Sequence, residues 1–331
     1  MTDTHQRRRR LLTAALMAAG TLGAATTRAQ GDKTMRLLVG FAPGGASDTL
    51  ARLIADKLAA VTKQVVIVEN KAGAGGRLAA EALKNAAADG QTYMLAPNAT
   101  LVFQHLNYPT SVLHYDMTQD FAGIAQVSSY PLALVVNAST GVKSAKELAA
   151  WIRANPDKSS FGTAGAGGDS HFNGLQFGKR AGLALTVVPY RGNGPLITDL
   201  IGGQIFIGSM VAGDALQYVR SGKLNYVGIY APQRSPLLMD VPTLAEQGFD
   251  TGGGNGWMGI WGPAKLPKAE IVRMQVALSQ VLSNKDVKSM MLTRFLMVPD
   301  FLPGADVDKK LAAELAHWGP VIKASGFSPQ Q

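Results

Sequence analysis

Two glycine-rich segments carry the side chains best suited to holding a small polar ligand: Phe41-Ala42-Pro43-Gly44-Gly45-Ala46-Ser47-Asp48 and Gly165-Ala166-Gly167-Gly168-Asp169-Ser170-His171. Each lies between an apolar strand-like run and a helix-like run. At such a junction the first N–H groups of the helix are unpaired and the positive end of its dipole faces outward, which suits carboxylate or phosphate. The glycines admit a ligand to the backbone, and Ser47 and Ser170 offer hydroxyl donors. Singly, each segment reads equally as a tight turn with an N-cap, Ser47 or Asp48 on one helix and Asp169 or Ser170 on the other. As a pair at strand C-terminal ends, they point to a ligand cleft.

Other chemistry finds less support. Gly45-Ala46-Ser47-Asp48-Thr49 has Thr49 where a nucleophile elbow needs glycine. Gly168-Asp169-Ser170-His171 resembles the start of a Gly-Asp-Ser-Leu esterase block, but no Asp-x-x-His follows near the C-terminus. A periplasmic α/β hydrolase with a serine nucleophile, Ser47 or Ser170 beside His171 or His105, stays open as an alternative. Gly73-Ala74-Gly75-Gly76 lacks the Lys-Ser/Thr of a phosphate loop and the third spaced glycine of a dinucleotide turn, so no cofactor is expected. His105, His114, His171 and His317 form no His-x-x-x-His pair. The Glu314/His317 spacing predicts a solvated helix face, and no metal site is expected. Catalytic residues are assigned nowhere.

The elements that position these segments alternate between strand and helix. Strands are predicted at 35–41, 65–69, 92–96, 132–136, 159–164, 185–189, 205–210 and 224–230, and helices at 47–58, 77–87, 143–148, 170–181, 195–201, 268–282 and 306–322. Ser144 and Glu147 are spaced as a capping box. Such alternation predicts an α/β fold with mainly parallel sheets flanked by helices. The length of 331 residues favours two domains, and no linker separates two beads. Two lobes joined by crossings near 127–130 and 251–257 are therefore expected: 30–127 plus 252–331 as the first lobe, 128–251 as the second.

The formal charge of +9 is uneven. Residues 1–29 hold five Arg and one Asp, and the remainder carries only +5. Arg7 to Arg10, an apolar run over 11–25 and the small-residue site Thr27-Arg28-Ala29 predict an export signal over residues 1–29, cleaved near Ala29. The paired arginines leave both the Sec and the twin-arginine route open. Fifteen apolar residues fall short of the roughly 20 of a spanning helix. Basic side chains form no stripe interleaved with aromatics, which argues against nucleic acid as a partner. The absence of Cys excludes disulfides, thiol nucleophiles and a lipidated N-terminal Cys.

The ordered motifs resemble the tripartite tricarboxylate transporter substrate-binding proteins, the Bug receptor family of bacterial periplasms. The opening Pro43-Gly44-Gly45 loop is followed by Val68-Glu69-Asn70-Lys71-Ala72-Gly73-Ala74-Gly75-Gly76, Asp89-Gly90-Gln91-Thr92, Val188-Pro189-Tyr190-Arg191-Gly192, Leu200-Ile201-Gly202-Gly203-Gln204, Ser221-Gly222-Lys223-Leu224, Arg234-Ser235-Pro236 with Asp240-Val241-Pro242-Thr243, and Trp318-Gly319.

The resemblance implies a type II, Venus-flytrap periplasmic binding protein. It would be a monomer without enzymatic activity that closes on a small carboxylate and delivers it to the membrane components of a tripartite transporter. A ligand-binding sensor subunit is a further alternative. Carried over by motif, the ligand-binding residues are Phe41, Pro43, Gly44, Gly45, Ala46, Ser47 and Asp48 with Gly165, Gly167, Gly168, Asp169, Ser170 and His171. Met210 and Trp257 are candidate cleft-wall residues, Trp257 also being suited to fill the core at the crossing. In the second loop two hydroxyl residues of the family pattern are replaced, one by an acid. Asp169 therefore either faces the ligand, repelling a carboxylate unless a cation or water intervenes, or turns away as a cap.

Overall fold

The computed structural model describes residues 34–329; the expected signal segment lies outside them. The fold is a two-lobed α/β architecture built on two sheets. Met35–Val39 (β1), Val66–Asn70 (β2), Thr92–Pro97 (β3), Phe121–Tyr130 (β4), Gly256–Pro263 (β10) and Val298–Pro303 (β11) form one sheet, in the order β11-β4-β10-β3-β1-β2. Leu132–Asn137 (β5), Ser160–Thr163 (β6), Thr186–Pro189 (β7), Ile207–Val211 (β8) and Leu224–Ile229 (β9) form the other, in the order β7-β6-β8-β5-β9.

The expectation of mainly parallel sheets is corrected to mixed sheets. Only β1/β2, β1/β3, β6/β7 and β6/β8 pair in parallel, whereas β10/β3, β10/β4, β11/β4, β5/β8 and β5/β9 are antiparallel. The cause is the crossing itself. β4 runs into β5 through Pro131 alone, and β10 returns after β9, so strands at the crossings are not joined by βαβ units and need not share direction.

Helices cover the sheets where strand-to-strand returns demand them. Ala46–Thr62 (α1) follows β1 and buries Leu50, Leu53, Ile54 and Leu58, a spacing that lays one apolar stripe on the sheet. Each fully buried Leu or Ile contributes about 1.5–3 kcal/mol of transfer free energy. Arg77–Lys84 (α2) follows β2, and Ala145–Ala154 (α5) begins at Ser144, whose hydroxyl accepts the Glu147 N–H at 3.2 Å, the expected half of a capping box. Between them lie the short helices Gln104–Asn107 (α3) and Thr110–Leu113 (α4).

Asp169–Ala181 (α6), Asn193–Gly202 (α7) and Ala212–Arg220 (α8) pack on the second sheet. Lys268–Ser283 (α9), Lys285–Arg294 (α10) and Gly304–Ser325 (α11) close the first. α11 buries Val307, Leu311, Trp318 and Ile322 and packs against β4, α3 and α6. It thereby touches helices that belong to both sheets.

Candidate functional site

The first loop leaves β1 at Val39. Asp48 does not reach outward from it: its Oδ2 accepts the Gly44 N–H and the Arg52 Nε–H, both at 2.9 Å, and its Oδ1 accepts Asn70 Nδ2 at 2.8 Å. Burial alone would push its carboxyl up, but these hydrogen bonds and the charge on Arg52 hold its pKa below the ordinary value. Asn70 also donates to the Phe41 carbonyl, and Phe41 packs half-buried on the main core. Asp48 thus fixes the loop rather than filling it.

What this leaves open is backbone. Gly44 adopts φ +86°, available without strain only to glycine, and Pro43, Gly44 and Gly45 are exposed. Gly45 is the N-cap of α1 and no side chain caps the helix. The first-turn N–H groups of Ala46 and Ser47 are unspent, and the Ser47 hydroxyl makes no hydrogen bond among the described residues. That end of α1 presents unpaired donors and the positive end of the helix dipole.

The second loop has the opposite polarity. Gly168 is the N-cap of α6, and the next residue supplies an anion of its own: Asp169 Oδ1 accepts the Ser170 N–H at 2.7 Å. Burial raises the Asp169 carboxyl to about 6, the Ser170 N–H opposes the rise, and nearby Glu314 adds to it. His171 accepts the Gly167 N–H on Nδ1 at 3.2 Å, and burial lowers it to about 4, so the ring is neutral near pH 7. The Ser170 carbonyl accepts the Ser209 hydroxyl at 2.6 Å, which in turn accepts Tyr230 Oη–H at 2.9 Å. With its one acceptor nitrogen taken by a backbone donor, His171 is poorly arranged to serve Ser170 as a base.

Register brings both loops to the same end of the molecule. β3 lies beside β1 in parallel, Val39 opposite Leu95, so the first loop starts one strand, about 4.8 Å, from the Pro97-Asn98 exit. β8 lies beside β6 in parallel, and its Val211 pairs with Leu132 at the crossing. A cavity of about 350 Å³ opens there. Asn98, Leu132, Asp169, Asn173, the glycines 252–254, Lys310 and Glu314 contribute to its wall, and the exposed His317 stands at its rim.

Among the thirteen loop residues expected from sequence, only Asp169 lines this cavity. Gly165 and Gly168 face open space, whereas Gly167, at φ +72°, is pressed against Asn107 and Phe327, with Asn107 Nδ2 donating to its carbonyl at 2.6 Å. Met210 requires correction as a cleft-wall residue. It alternates with Ser209 along β8 and is fully buried on the other face, against Leu196 and Leu200 of α7. Trp257 is likewise fully buried, but its indole N–H donates to Glu314 Oε1 at 2.6 Å and so props up the cavity wall from behind.

Several wall residues were invisible as site residues in the sequence. Glu314 was expected on a solvated face together with His317. Only His317 is exposed: Glu314 turns inward, where Trp257 and Asn98 Nδ2, at 3.2 Å, donate to its two oxygens. Burial raises its carboxyl despite those bonds and the charge on Lys310. Lys310 donates to Gln126 Oε1 at 2.7 Å and sits 5.0 Å above the Trp257 ring. Asn173 is completely buried one turn beyond Asp169, with neither amide atom hydrogen-bonded, and it closes on Gly253, where no side chain would fit. The signal that could have found Asn173 is its i, i+4 spacing from Asp169 on a helix that starts at a candidate loop.

Comparison with known proteins gives a consistent relationship. A family model described as tripartite tricarboxylate transporter family receptor matches residues 50–327. Protein BugT of Bordetella pertussis is 29% identical over 298 residues, covering 89% of this chain and 90% of that protein. Among solved structures, MatC of Rhodopseudomonas palustris with bound malate has a TM-score of 0.77 at 28% identity, covering 87% of this chain and 98% of that one. R. palustris Rpa4515 with adipate has a TM-score of 0.83 at 26% identity, covering 90% of this chain and 98% of that one.

Proposed function

Because the chain belongs to the tripartite tricarboxylate transporter receptor family, whose members are substrate-binding receptors and not enzymes, we propose that it captures a small organic carboxylate in the cleft between its lobes and hands it to the membrane components of such a transporter. The protein is exported to the periplasm, loses residues 1–29 near Ala29, and works as a monomer. Its lobes are residues 30–127 with 252–331, and 128–251.

The observation that carries the proposal is the uncapped N-terminus of α1. Gly44 faces open space, Asp48 is turned back into its own loop, and the N–H groups of Ala46 and Ser47 with the Ser47 hydroxyl remain for an acceptor. Relatives with malate and with adipate support a carboxylate as that acceptor. The anchor is built from N–H and O–H donors.

Isothermal titration of the mature protein with mono- and dicarboxylates of two to ten carbons tests this reading. At least one acid binds at micromolar Kd or tighter, and Ser47→Ala weakens it about tenfold or more, the worth of one hydrogen bond to a charged acceptor. Absence of heat and of thermal stabilisation with every carboxylate overturns it.

A further inference from the structure

We infer that the solute carries a cationic nitrogen as well as a carboxylate, an amino acid or another small zwitterion, and that Asp169, Glu314 and Asn173 receive the nitrogen in the cavity between α6 and α11. The inference rests on the carboxylate reading above and extends it by naming the class of acid.

The cavity wall holds acceptors with unused capacity. Asp169 Oδ1 takes the Ser170 N–H, but Oδ2 receives no hydrogen bond from another of the described residues. Glu314 receives one donor on each oxygen, which leaves each with further acceptor capacity. Asn173 Oδ1 and Nδ2 are unpartnered in a side chain with no exposed surface. A buried amide left without partners is costly, and a polar ligand group that supplies them recovers that cost.

Charge points the same way. Two carboxylates line the wall against one ammonium, Lys310, which donates to Gln126 Oε1, lies over the face of Trp257 and also feels the charge of Glu314, so the wall carries one acid in excess. His171 is held neutral with its Nδ1 turned to the Gly167 N–H, and Arg52 is spent on Asp48. No cation of the second loop is thus free to hold a carboxylate, and Asp169 occupies the position at the start of α6 where one would sit. A carboxylate placed there would meet like charge at short range; an ammonium would meet complementary charge. The first loop has the reverse character, free N–H groups and no free anion. A ligand with one end of each sign satisfies both.

The arrangement also gives the nitrogen a mechanical role. Asp169 and Asn173 ride on the helix packed against the second sheet, and Glu314 on the helix packed against the first. A donor that bonds to both sides joins the lobes, so recognition of the amine and closure become one event.

A thermal-shift and titration panel separates the outcomes: the twenty common amino acids alongside acetate, propionate, succinate, glutarate, adipate and 3-phenylpropionate, at pH 7.5. The expected result is an amino acid that binds tenfold or more tighter than its counterpart lacking the amine, with that preference reduced to threefold or less in both Asp169→Asn and Glu314→Gln. Binding of carboxylates with no preference for the amine in any matched pair overturns the inference and leaves the carboxylate reading standing. No binding by any compound in the panel overturns both. A preference that survives intact in both variants also overturns the assignment of these residues.

Discussion

Asp169 is the residue on which sequence and structure diverge most usefully. Its position at the head of α6 was legible because a glycine loop between a strand and a helix marks a helix N-terminus, but its direction was not, since capping and ligand contact require the same sequence. In the fold Oδ1 accepts the Ser170 N–H and the residue contributes to the cavity wall. Its carboxyl is raised by burial to about 6 from 3.8, with Glu314 adding to the rise and Tyr130, Lys310 and His317 also nearby. A carboxyl whose folded pKa lies above its unfolded pKa favours folding least when ionised, so stability from this group declines as pH rises from about 4 through 6. The shift corresponds to about 3 kcal/mol at neutral pH. Asp169→Asn in the solute-stripped protein is expected to raise Tm by several degrees at pH 7.5 and by only about a third as much at pH 4.5, checked by calorimetry at both values. An unaltered Tm at pH 7.5 would mean the carboxylate is already well solvated. Glu314 shows the complementary failure of sequence reasoning, because Trp257 and Asn98, which turn it inward, lie 57 and 216 positions away.

At the scale of elements, periodicity found the helices that have one buried stripe. The expected 268–282 and 306–322 became Lys268–Ser283 and Gly304–Ser325. Among the strands it missed β4, β10 and β11. β4, with Gly123, Gln126, Ser128 and Ser129, lacks an alternating pattern because it is buried on both faces between β11 and β10. β11 contains Pro299 and Pro303, residues usually confined to sheet edges, and it is the edge strand next to β4. The segment after α11 also acquires a task no local pattern encodes. Phe327 stands edge-on to His171 at 5.0 Å and to Phe172 at 5.5 Å, and Phe172 stacks on Phe103 at 5.8 Å. Phe327→Ala removes half-buried aromatic surface and two ring contacts, so a loss of about 1–2 kcal/mol in chemical denaturation is expected. The same variant should bind solute more weakly, because the lost contacts hold α6 against the first sheet's helices. Weakened stability with unchanged affinity would confine Phe327 to a packing role.

For the molecule as a whole, the alternation of strands and helices was readable, whereas strand direction was not, being set by which edge each returning strand joins. The second loop meets the other body through the Asn107–Gly167 hydrogen bond and the Phe327 ring. A side chain at Gly167 would bring its Cβ to 2.5 Å from Asn107 Nδ2, in a backbone conformation that favours glycine. Gly167→Val should therefore hold the lobes apart: a larger radius of gyration by small-angle scattering with solute present, and affinity reduced tenfold or more. Wild-type dimensions with solute bound would show that closure does not pass through this contact. Strand β1 and helix α11, the first and last described elements, both serve the six-stranded sheet, while α5 to α8 belong to the five-stranded one. For anyone building a fluorescent sensor from this protein, dyes attached near residues 34 and 329 would ride on the same body and register nothing; one reporter must be inserted in the middle of the chain, at an exposed turn such as Gly141 or Gly222, for solute capture to change the signal.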